Sequence, residues 1–225
     1  PTALNYNAAA NTDDGSCVSA IGDTYQGGII FYLDGNGGGL IAAPSDQSSA
    51  TQWGCYGTLL TGADGMAIGT GAQNTIDIEA GCTTPATAPD ICANLTLNGY
   101  SDWFLPSKDE LNQMYINKAV IGGVGTGTYW SSSEYSGTNA QLQDFGNGDQ
   151  INANKSQNFR VRAVRAIHYN GCTDPTAFNY DASAIADDGS CVAVVTQFDF
   201  TASVQTFTVP AGVTIILVDA YGASG

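Results

Sequence analysis

Short apolar runs separated by glycine-rich turns dominate the first half of the chain. Residues 27–33 (GGIIFYL) and 40–43 (LIAA) each predict a buried strand, and residues 34–39 (DGNGGG) predict the turn between them. Residues 72–80 and 86–95 carry weaker patterns with helical spacing. We therefore expect the domain to open with a β-hairpin and to continue into helical segments.

The clearest helix signal begins at Ser107. Ser107 is followed three residues later by Glu110, which is the spacing of a capping box at a helix N-terminus. Leu111, Met114 and Tyr115 then recur at the spacing that places apolar side chains on one helix face. This segment predicts a helix with one face packed on a core.

The second half of the central region returns to β patterning. Residues 128–132, 140–145, 150–153 and 159–167 each predict a strand, and residues 146–149 (GNGD) predict a hairpin loop. The last strand carries its alternation up to a break at Val164. Strands on both sides of a helical middle predict an α+β fold.

A duplicated segment divides the chain into parts. Residues 1–18 and residues 175–192 are identical at 13 of 18 positions. Cys172 and Cys191 bracket the second copy, and we predict that they pair. The first copy lacks the matching cysteine, so we expect Cys17 to have its partner in sequence further upstream. Four parts follow: a truncated repeat at 1–18, a middle domain at 19–169, a second repeat at 170–192, and the start of a β-rich, glycine-rich domain at 193–225.

Each repeat is too short for a hydrophobic core, so a disulfide and a calcium ion are predicted as its staples. Carboxylate and amide oxygens on a loop are the ligands that calcium prefers. The alternative is that the DDGS segments are solvated turns. The candidate ligands are Asp174, Asn179, Asp181, Asp187 and Asp188 in the second copy, with Asp13 and Asp14 in the first.

Charge and cysteine content exclude several classes of function. The chain has 6 basic and 21 acidic residues, a net charge of −15, which argues against nucleic acid or anionic lipid as a partner. No apolar stretch is long enough to predict membrane insertion. Six cysteines without a C-x-x-C pair and a single histidine predict disulfides rather than zinc. Cys82 with Cys92 is the favoured pair in the middle domain, and Cys55 with Cys92 is the alternative.

Three segments of the middle domain resemble a known family. Residues 100–111 (YSDWFLPSKDEL), 129–134 (YWSSSE) and 161–165 (VRAVR) resemble the Lcl C-terminal-domain family of bacterial surface proteins, which is similar in fold to C-type lectins. The flanking repeats resemble the GCTDP…NY…DDGSC repeats of surface proteins from type-IX-secreting bacteria. The resemblance implies a C-type-lectin-like fold and an extracellular, cell-surface location.

Candidate ligand-binding residues fall in three groups. Tryptophans such as Trp53 are suited to stacking on sugar rings, although core packing is the alternative for Trp103 and Trp130. Loops on a rigid scaffold often carry function, which favours residues 134–139 and 145–150. A row of basic residues in the last strand is suited to a sulfated ligand, or to pairing with carboxylates. The predicted ligand-binding residues are Trp53, Glu134, Asp144, Asn147, Asp149, Arg160 and Arg162, with Arg165 and Lys155 completing the basic row.

These observations predict a binding protein and not an enzyme. The motifs of serine hydrolases, zinc proteases and phosphate-binding loops are missing, as are the Glu-Pro-Asn and Trp-Asn-Asp motifs of calcium-dependent lectins. The main hypothesis is a segment of a large modular adhesin that binds a glycan or another cell-surface ligand. The alternative is a structural bead in a filament or stalk, contacting neighbouring domains of the same chain or further copies of itself.

Overall fold

A computed structural model describes residues 20–35, 38–167, 170–177, 180, 186–187, 191–192 and 206. The chain divides into two compact units, Pro1–Ile167 and His168–Gly225. The first repeat at 1–18 and the strands expected within 193–225 lie outside the described residues. No helix in the described part is both long and apolar enough to cross a bilayer.

The first unit contains a four-stranded antiparallel sheet. Its strands are β1 (Thr24–Tyr25), β2 (Gly28–Leu33), β3 (Gly39–Ala42) and β9 (Val164–Ala166), in the spatial order β1-β2-β3-β9. The predicted opening hairpin is β2 and β3, which pair from Ile29↔Ala42 to Leu33↔Gly39. The first and the last described strands of this unit therefore lie in the same sheet.

A five-stranded sheet contains the other strands described in this unit. Its strands are β4 (Ser48–Gln52), β5 (Thr128–Glu134), β6 (Asn139–Asp144), β7 (Gln150–Asn154) and β8 (Asn158–Val161), ordered β4-β8-β5-β6-β7. All neighbours are antiparallel except β5 and β8. The polar segment that forms β4 had no strand signal in the sequence. The predicted strand at 159–167 is divided, because β8 and β9 belong to different sheets.

Four helices are described between β4 and β5, two strands of the same sheet: α1 (Gly71–Gly81), α2 (Ala88–Ala93), α3 (Lys108–Ile116) and α4 (Lys118–Ile121). The predicted capping box at the start of α3 is confirmed. The Ser107 hydroxyl accepts from the Glu110 N–H at 3.4 Å, and a Glu110 carboxylate oxygen accepts from the Ser107 N–H at 2.7 Å. Glu110 is fully buried, and burial raises its pKa although backbone N–H groups oppose that shift. The mixed helix and sheet content agrees with the α+β prediction.

The hydrophobic core lies on both sides of the five-stranded sheet, because successive strand residues point to opposite faces. Trp130 and Leu142 face a cluster that includes Trp53, and this cluster also holds Ile78 of α1. Tyr129 faces a second cluster that contains residues of α3. Core packing of Trp103 and Trp130, the alternative to sugar stacking, is confirmed by their nearly complete burial.

Two disulfides staple the described residues. Cys172 pairs with Cys191 as predicted, within the second unit. The favoured Cys82–Cys92 pair and the alternative Cys55–Cys92 pair are both wrong, because Cys55 bonds to Cys82. Cys92 is a buried free thiol whose side chain packs in the core on α2. Its pKa is raised, first by burial and then by the charge of Glu79.

Candidate functional site

The two loops favoured from the sequence do not form one site. Residues 134–139 precede β6, and residues 145–150 follow it. The five residue steps between Asn139 and Asp144 span about 17 Å at the rise of an antiparallel strand. The two loops therefore lie at opposite ends of β6, and each has to be considered separately.

At the second of these loops, the predicted ligand-binding side chains bond to the turn itself. An Asp144 carboxylate oxygen accepts from the Gly146 N–H at 2.6 Å. The Asn147 amide donates to the Asp149 carboxylate at 2.7 Å, and the Asp149 N–H donates back to the Asn147 side chain at 3.0 Å. Asn147 and Asp149 are exposed. These contacts explain the shape of the turn, and the ligand role of its residues stays a prediction.

Asp46 forms ion pairs with two of the predicted basic residues. Arg162 donates its Nε–H to Asp46 at 2.7 Å and is 1% exposed, while the more exposed Arg160 donates to the other carboxylate oxygen at 3.0 Å. The Tyr129 hydroxyl donates to the same oxygen at 2.9 Å. Burial and this bond raise the pKa of Tyr129. The buried Arg162 guanidinium also donates to the Ala43 and Gly123 carbonyls, at 2.6 and 2.7 Å, and its ligand role stays a prediction.

The remaining basic residues of the row are also neutralised. Arg165 makes two bonds to the Asp102 carboxylate, at 2.7 and 2.8 Å, and its guanidinium carbon lies 3.9 Å from the centre of the Tyr100 ring. The expected row is divided, because the strand that carries it changes sheets between Arg162 and Arg165. Ion pairing, the alternative to sulfate binding, is therefore confirmed for Arg160, Arg162 and Arg165.

Lys155 and Glu134 form a buried ion pair at the other end of β6. The exposed fraction of their side chains is 0% and 2%. The Lys155 ammonium also donates to the Thr58 carbonyl at 2.9 Å, and the Leu60 N–H donates to both Glu134 oxygens at 3.1 and 3.0 Å. These partners lie within the fold, and the ligand role of the buried Glu134 carboxylate stays a prediction. The pair instead ties residues 58–60 to the end of β5.

Trp53 packs against the Lys155 side chain of this ion pair. Its ring lies 4.5 Å from the Lys155 ammonium, and its indole N–H donates to the Ser131 carbonyl at 2.8 Å. Trp53 is fully buried. Its ring packs in the core next to the ion pair, and the predicted stacking of Trp53 on a ligand stays a prediction. A cation over an indole ring is a favourable contact that is strengthened by exclusion of water.

The loops at 55–60 and 134–139 lie directly against each other. The Gly57 N–H donates to the Gly137 carbonyl at 2.8 Å. A Cβ placed on Gly137 would lie 3.3 Å from the Leu59 nitrogen, so a side chain there would press against the neighbouring loop. The Cys55–Cys82 disulfide fixes the start of the first loop to the end of α1. Both loops are thus held rigidly by covalent, ionic and backbone contacts.

Three large side chains project into solvent from these rigid loops. Tyr56 is 56% exposed, Leu59 is 70% exposed and Tyr135 is 61% exposed. We call these three residues the tyrosine surface. Exposed aromatic rings with a polar tip are suited to binding partners that present both apolar and hydroxyl groups. Sequence reasoning selected the loop at 134–139 but missed these side chains; the available signal was a tyrosine close to a glycine in each loop.

The second unit retains one predicted calcium ligand among the residues whose side chains are described. Asp174 is exposed, and its carboxylate accepts from the N–H and the hydroxyl of Thr176 at 2.8 and 2.6 Å. These bonds lower the pKa of Asp174. Asp187 is described through its backbone in β11 (Ala186–Asp187), which pairs with β10 (Asn170–Gly171). The other predicted ligands lie outside the described residues: Asp13, Asp14, Asn179, Asp181 and Asp188.

Comparison with known proteins places this unit in a family. The family model described as the Lcl C-terminal domain matches residues 45–165, which include the whole tyrosine surface and the Lys155–Glu134 pair. The match covers more than half of the 225 residues. No curated protein matches the chain. The chain therefore belongs to the Lcl C-terminal domain family.

Proposed function

We propose that this chain is a segment of an extracellular, cell-surface adhesin whose first unit is C-type-lectin-like and binds a glycan through the tyrosine surface. The observation that carries the proposal is the exposure of Tyr56, Leu59 and Tyr135 on loops that are otherwise locked in place. A rigid site loses little conformational entropy when it binds a ligand. Large apolar side chains exposed on a rigid scaffold are also typical of recognition sites.

The chemistry of the surface favours neutral or weakly charged sugars. The ring faces of Tyr56 and Tyr135 can stack on the C–H face of a pyranose, while their hydroxyls bond to sugar hydroxyls. A sulfated glycan requires free basic groups, but the arginines of the basic row are paired with Asp46 and Asp102. The tyrosine surface also lacks a paired nucleophile and base, which supports binding rather than catalysis.

The second unit, which follows the binding unit in the sequence, is proposed to act as a calcium-stapled spacer. Its Cys172–Cys191 disulfide supports an oxidising, extracellular location, as does the Cys55–Cys82 disulfide of the first unit. Calcium would be held by Asp174 together with acidic and amide side chains of the same repeat. If so, calcium raises the temperature at which the second unit unfolds, and EDTA reverses the effect.

A glycan array with the full chain, run once with calcium and once with EDTA, tests the proposal. We expect Tyr56→Ala and Tyr135→Ala each to weaken binding by about tenfold, because each removes an exposed contact residue without removing a core contact. Tyr180→Ala is the matched control, since Tyr180 is 47% exposed but belongs to the second unit. Its binding should equal that of the unmodified chain.

The outcomes separate the adhesin from its alternatives. Binding that survives both tyrosine substitutions would place the glycan site elsewhere and refute the role of the tyrosine surface. Binding that is lost in EDTA while both tyrosines are intact would direct the search to the turn containing Asp144, Asn147 and Asp149. Failure to bind any glycan would favour the alternative function, in which the unit is a structural bead that contacts other domains or copies and recognises no sugar.

A further inference from the structure

The described sheets of the first unit have four edges, and three of them are short or covered. Strand β1 has only two residues. The edge of β9 is covered by Phe104, which exchanges N–H to carbonyl bonds with Val164 at 2.8 and 2.9 Å. The edge of β4 is covered near Thr51, whose hydroxyl donates to the Ala86 carbonyl at 2.9 Å. Strand β7 is the remaining edge, and no described strand pairs with its outer side.

Strand β7 lacks the features that usually protect a sheet edge. It pairs with β6 over five consecutive positions, from Asn139↔Asn154 to Gln143↔Gln150, without a bulge. Its sequence, QINAN, contains neither proline nor a charged residue. Proteins normally protect exposed edges with lysine, proline, bulges or short strands. An edge this regular is open to addition of another strand.

The hydrogen-bond pattern shows which backbone groups point outward. The Asp149 carbonyl accepts from the Asp144 N–H at 2.9 Å, and the Lys155 N–H donates to the Thr138 carbonyl at 3.0 Å. In an antiparallel pair, only alternate residues bond to the neighbouring strand. Residues 151 and 153 therefore bond to β6, and the backbone groups that point outward belong to Gln150, Asn152 and Asn154.

The core-facing side of the sheet is left partly exposed at β7. Ile151 lies opposite Leu142, which is 1% exposed in the core, so Ile151 lies on the core side of the sheet. Ile151 is nevertheless 50% exposed. A strand added beside β7 would cover this side chain in the way that β7 covers Leu142.

We propose that the occupant of this edge is β7 of a second copy of the chain, antiparallel and related by a two-fold axis at Asn152. In that register the outward groups of Gln150 meet those of Asn154, and Asn152 meets its own counterpart. Ile151 then faces Ala153 of the second copy, which places two apolar side chains against each other. The pairing is self-complementary, as a two-fold interface requires.

Charge supports this contact at β7 in spite of the acidity of the chain. The net charge of −15 opposes association of two copies, but β7 itself is uncharged. Lys155, which follows the strand, is buried and neutralised by Glu134. A five-residue edge buries less area than a stable dimer interface, so we expect weak pairing, with a Kd of about 0.1 to 1 mM that falls as salt screens repulsion.

Sedimentation velocity of the full chain over a range of concentrations tests the proposal. We expect a reversible monomer–dimer equilibrium, and we expect Asn152→Pro to raise its Kd at least about tenfold, because it removes an outward N–H from each copy. Proline is tolerated on an edge strand whose N–H faces solvent, so the fold should survive. Ile151→Lys should also abolish the dimer.

Ile116→Lys is the matched control, because Ile116 is 60% exposed at the end of α3, and the same substitution there should leave the dimer intact. A chain that stays monomeric at about 1 mM and high salt would overturn the proposal. A dimer that survives both Asn152→Pro and Ile151→Lys would also overturn it. Circular dichroism of each variant confirms that its fold is retained, and the result is independent of glycan binding by the tyrosine surface.

Discussion

Replacing Lys155 with methionine should destabilise the first unit severely. The substitution keeps the apolar stem of the side chain but removes the ammonium that neutralises Glu134. Glu134 is then a carboxylate with 2% side-chain exposure whose remaining partner is the Leu60 N–H. Breaking a buried ion pair from one side costs about 3 to 5 kcal/mol, because the other charge is left uncompensated. Loss of the bond to Thr58 and of the contact with Trp53 acts in the same direction.

Urea denaturation at neutral pH, followed by tryptophan fluorescence, measures this effect. The three tryptophans, Trp53, Trp103 and Trp130, all belong to the first unit, so the signal reports on that unit. Arg160→Met is the control for an exposed pair. The Arg160 side chain is 37% exposed, and its partner Asp46 keeps other donors, so the expected cost is below about 1 kcal/mol.

The double variant Glu134→Gln with Lys155→Met separates the cost of an uncompensated Glu134 charge from the other effects of losing the Lys155 ammonium. It removes both charges and keeps an amide oxygen that accepts from the Leu60 N–H. We expect it to be more stable than Lys155→Met alone by about 2 kcal/mol. If Lys155→Met costs less than about 1 kcal/mol, or if the double variant is no better than the single one, Glu134 is not desolvated in the way the structure indicates.

Three further predictions concern the helices. Gly71→Ala should destabilise the unit by about 1 to 3 kcal/mol in urea titrations, since its Cβ would overlap a Glu110 oxygen and lie 2.7 Å from the Ser107 nitrogen; an unchanged midpoint would contradict this. Burial, and then the charge of Asp90, raise the pKa of Glu79 above its usual 4.5. Protonated Glu79 is therefore favoured in the folded state. Its contribution to the free energy of unfolding is fully present below pH 4.5 and is lost as the pH rises through the folded-state pKa. Glu79→Gln should stabilise the protein by no more than about 0.5 kcal/mol at neutral pH, because solvent screens this partly exposed carboxylate, and by less in acid; equal gains at both pH values would refute the linkage. Cys92 should resist iodoacetamide in the folded protein at mildly alkaline pH and react in urea, as peptide mass spectrometry would reveal, because burial raises its pKa.

The local elements were predictable because their signals are local. The capping box at Ser107 and Glu110 fixes the start of α3 through bonds between residues three positions apart. The alternation at 140–145 and 150–153 predicts β6 and β7, since side chains in a strand alternate between faces. Strand β4 was missed because its sequence, SSATQ, is polar. Its β structure depends on pairing with β8 far along the chain.

The candidate site was only partly predictable. The loop at 134–139 was favoured as a binding loop on a rigid scaffold, which stays a prediction, but the burial of Glu134 was not foreseen. A glutamate in a loop is usually solvated, and the sequence contains no sign that Lys155 would meet it across the sheet. The same limit applies to Cys55, whose bond to Cys82 depends on where the end of α1 comes to rest.

The sequence by itself determined the order of elements, the duplicated repeat, the acidity and the family, because these depend on residue identity and short-range spacing. Only the tertiary structure decided which side chains are accessible. It placed Trp53, Glu134 and Arg162 in the interior, where exclusion of water makes their pairing necessary. It also left Tyr56 and Tyr135 in solvent on adjoining loops, and it left β7 at an open edge of its sheet. Burial is a property of the packed chain, and contacts between residues far apart in sequence establish it.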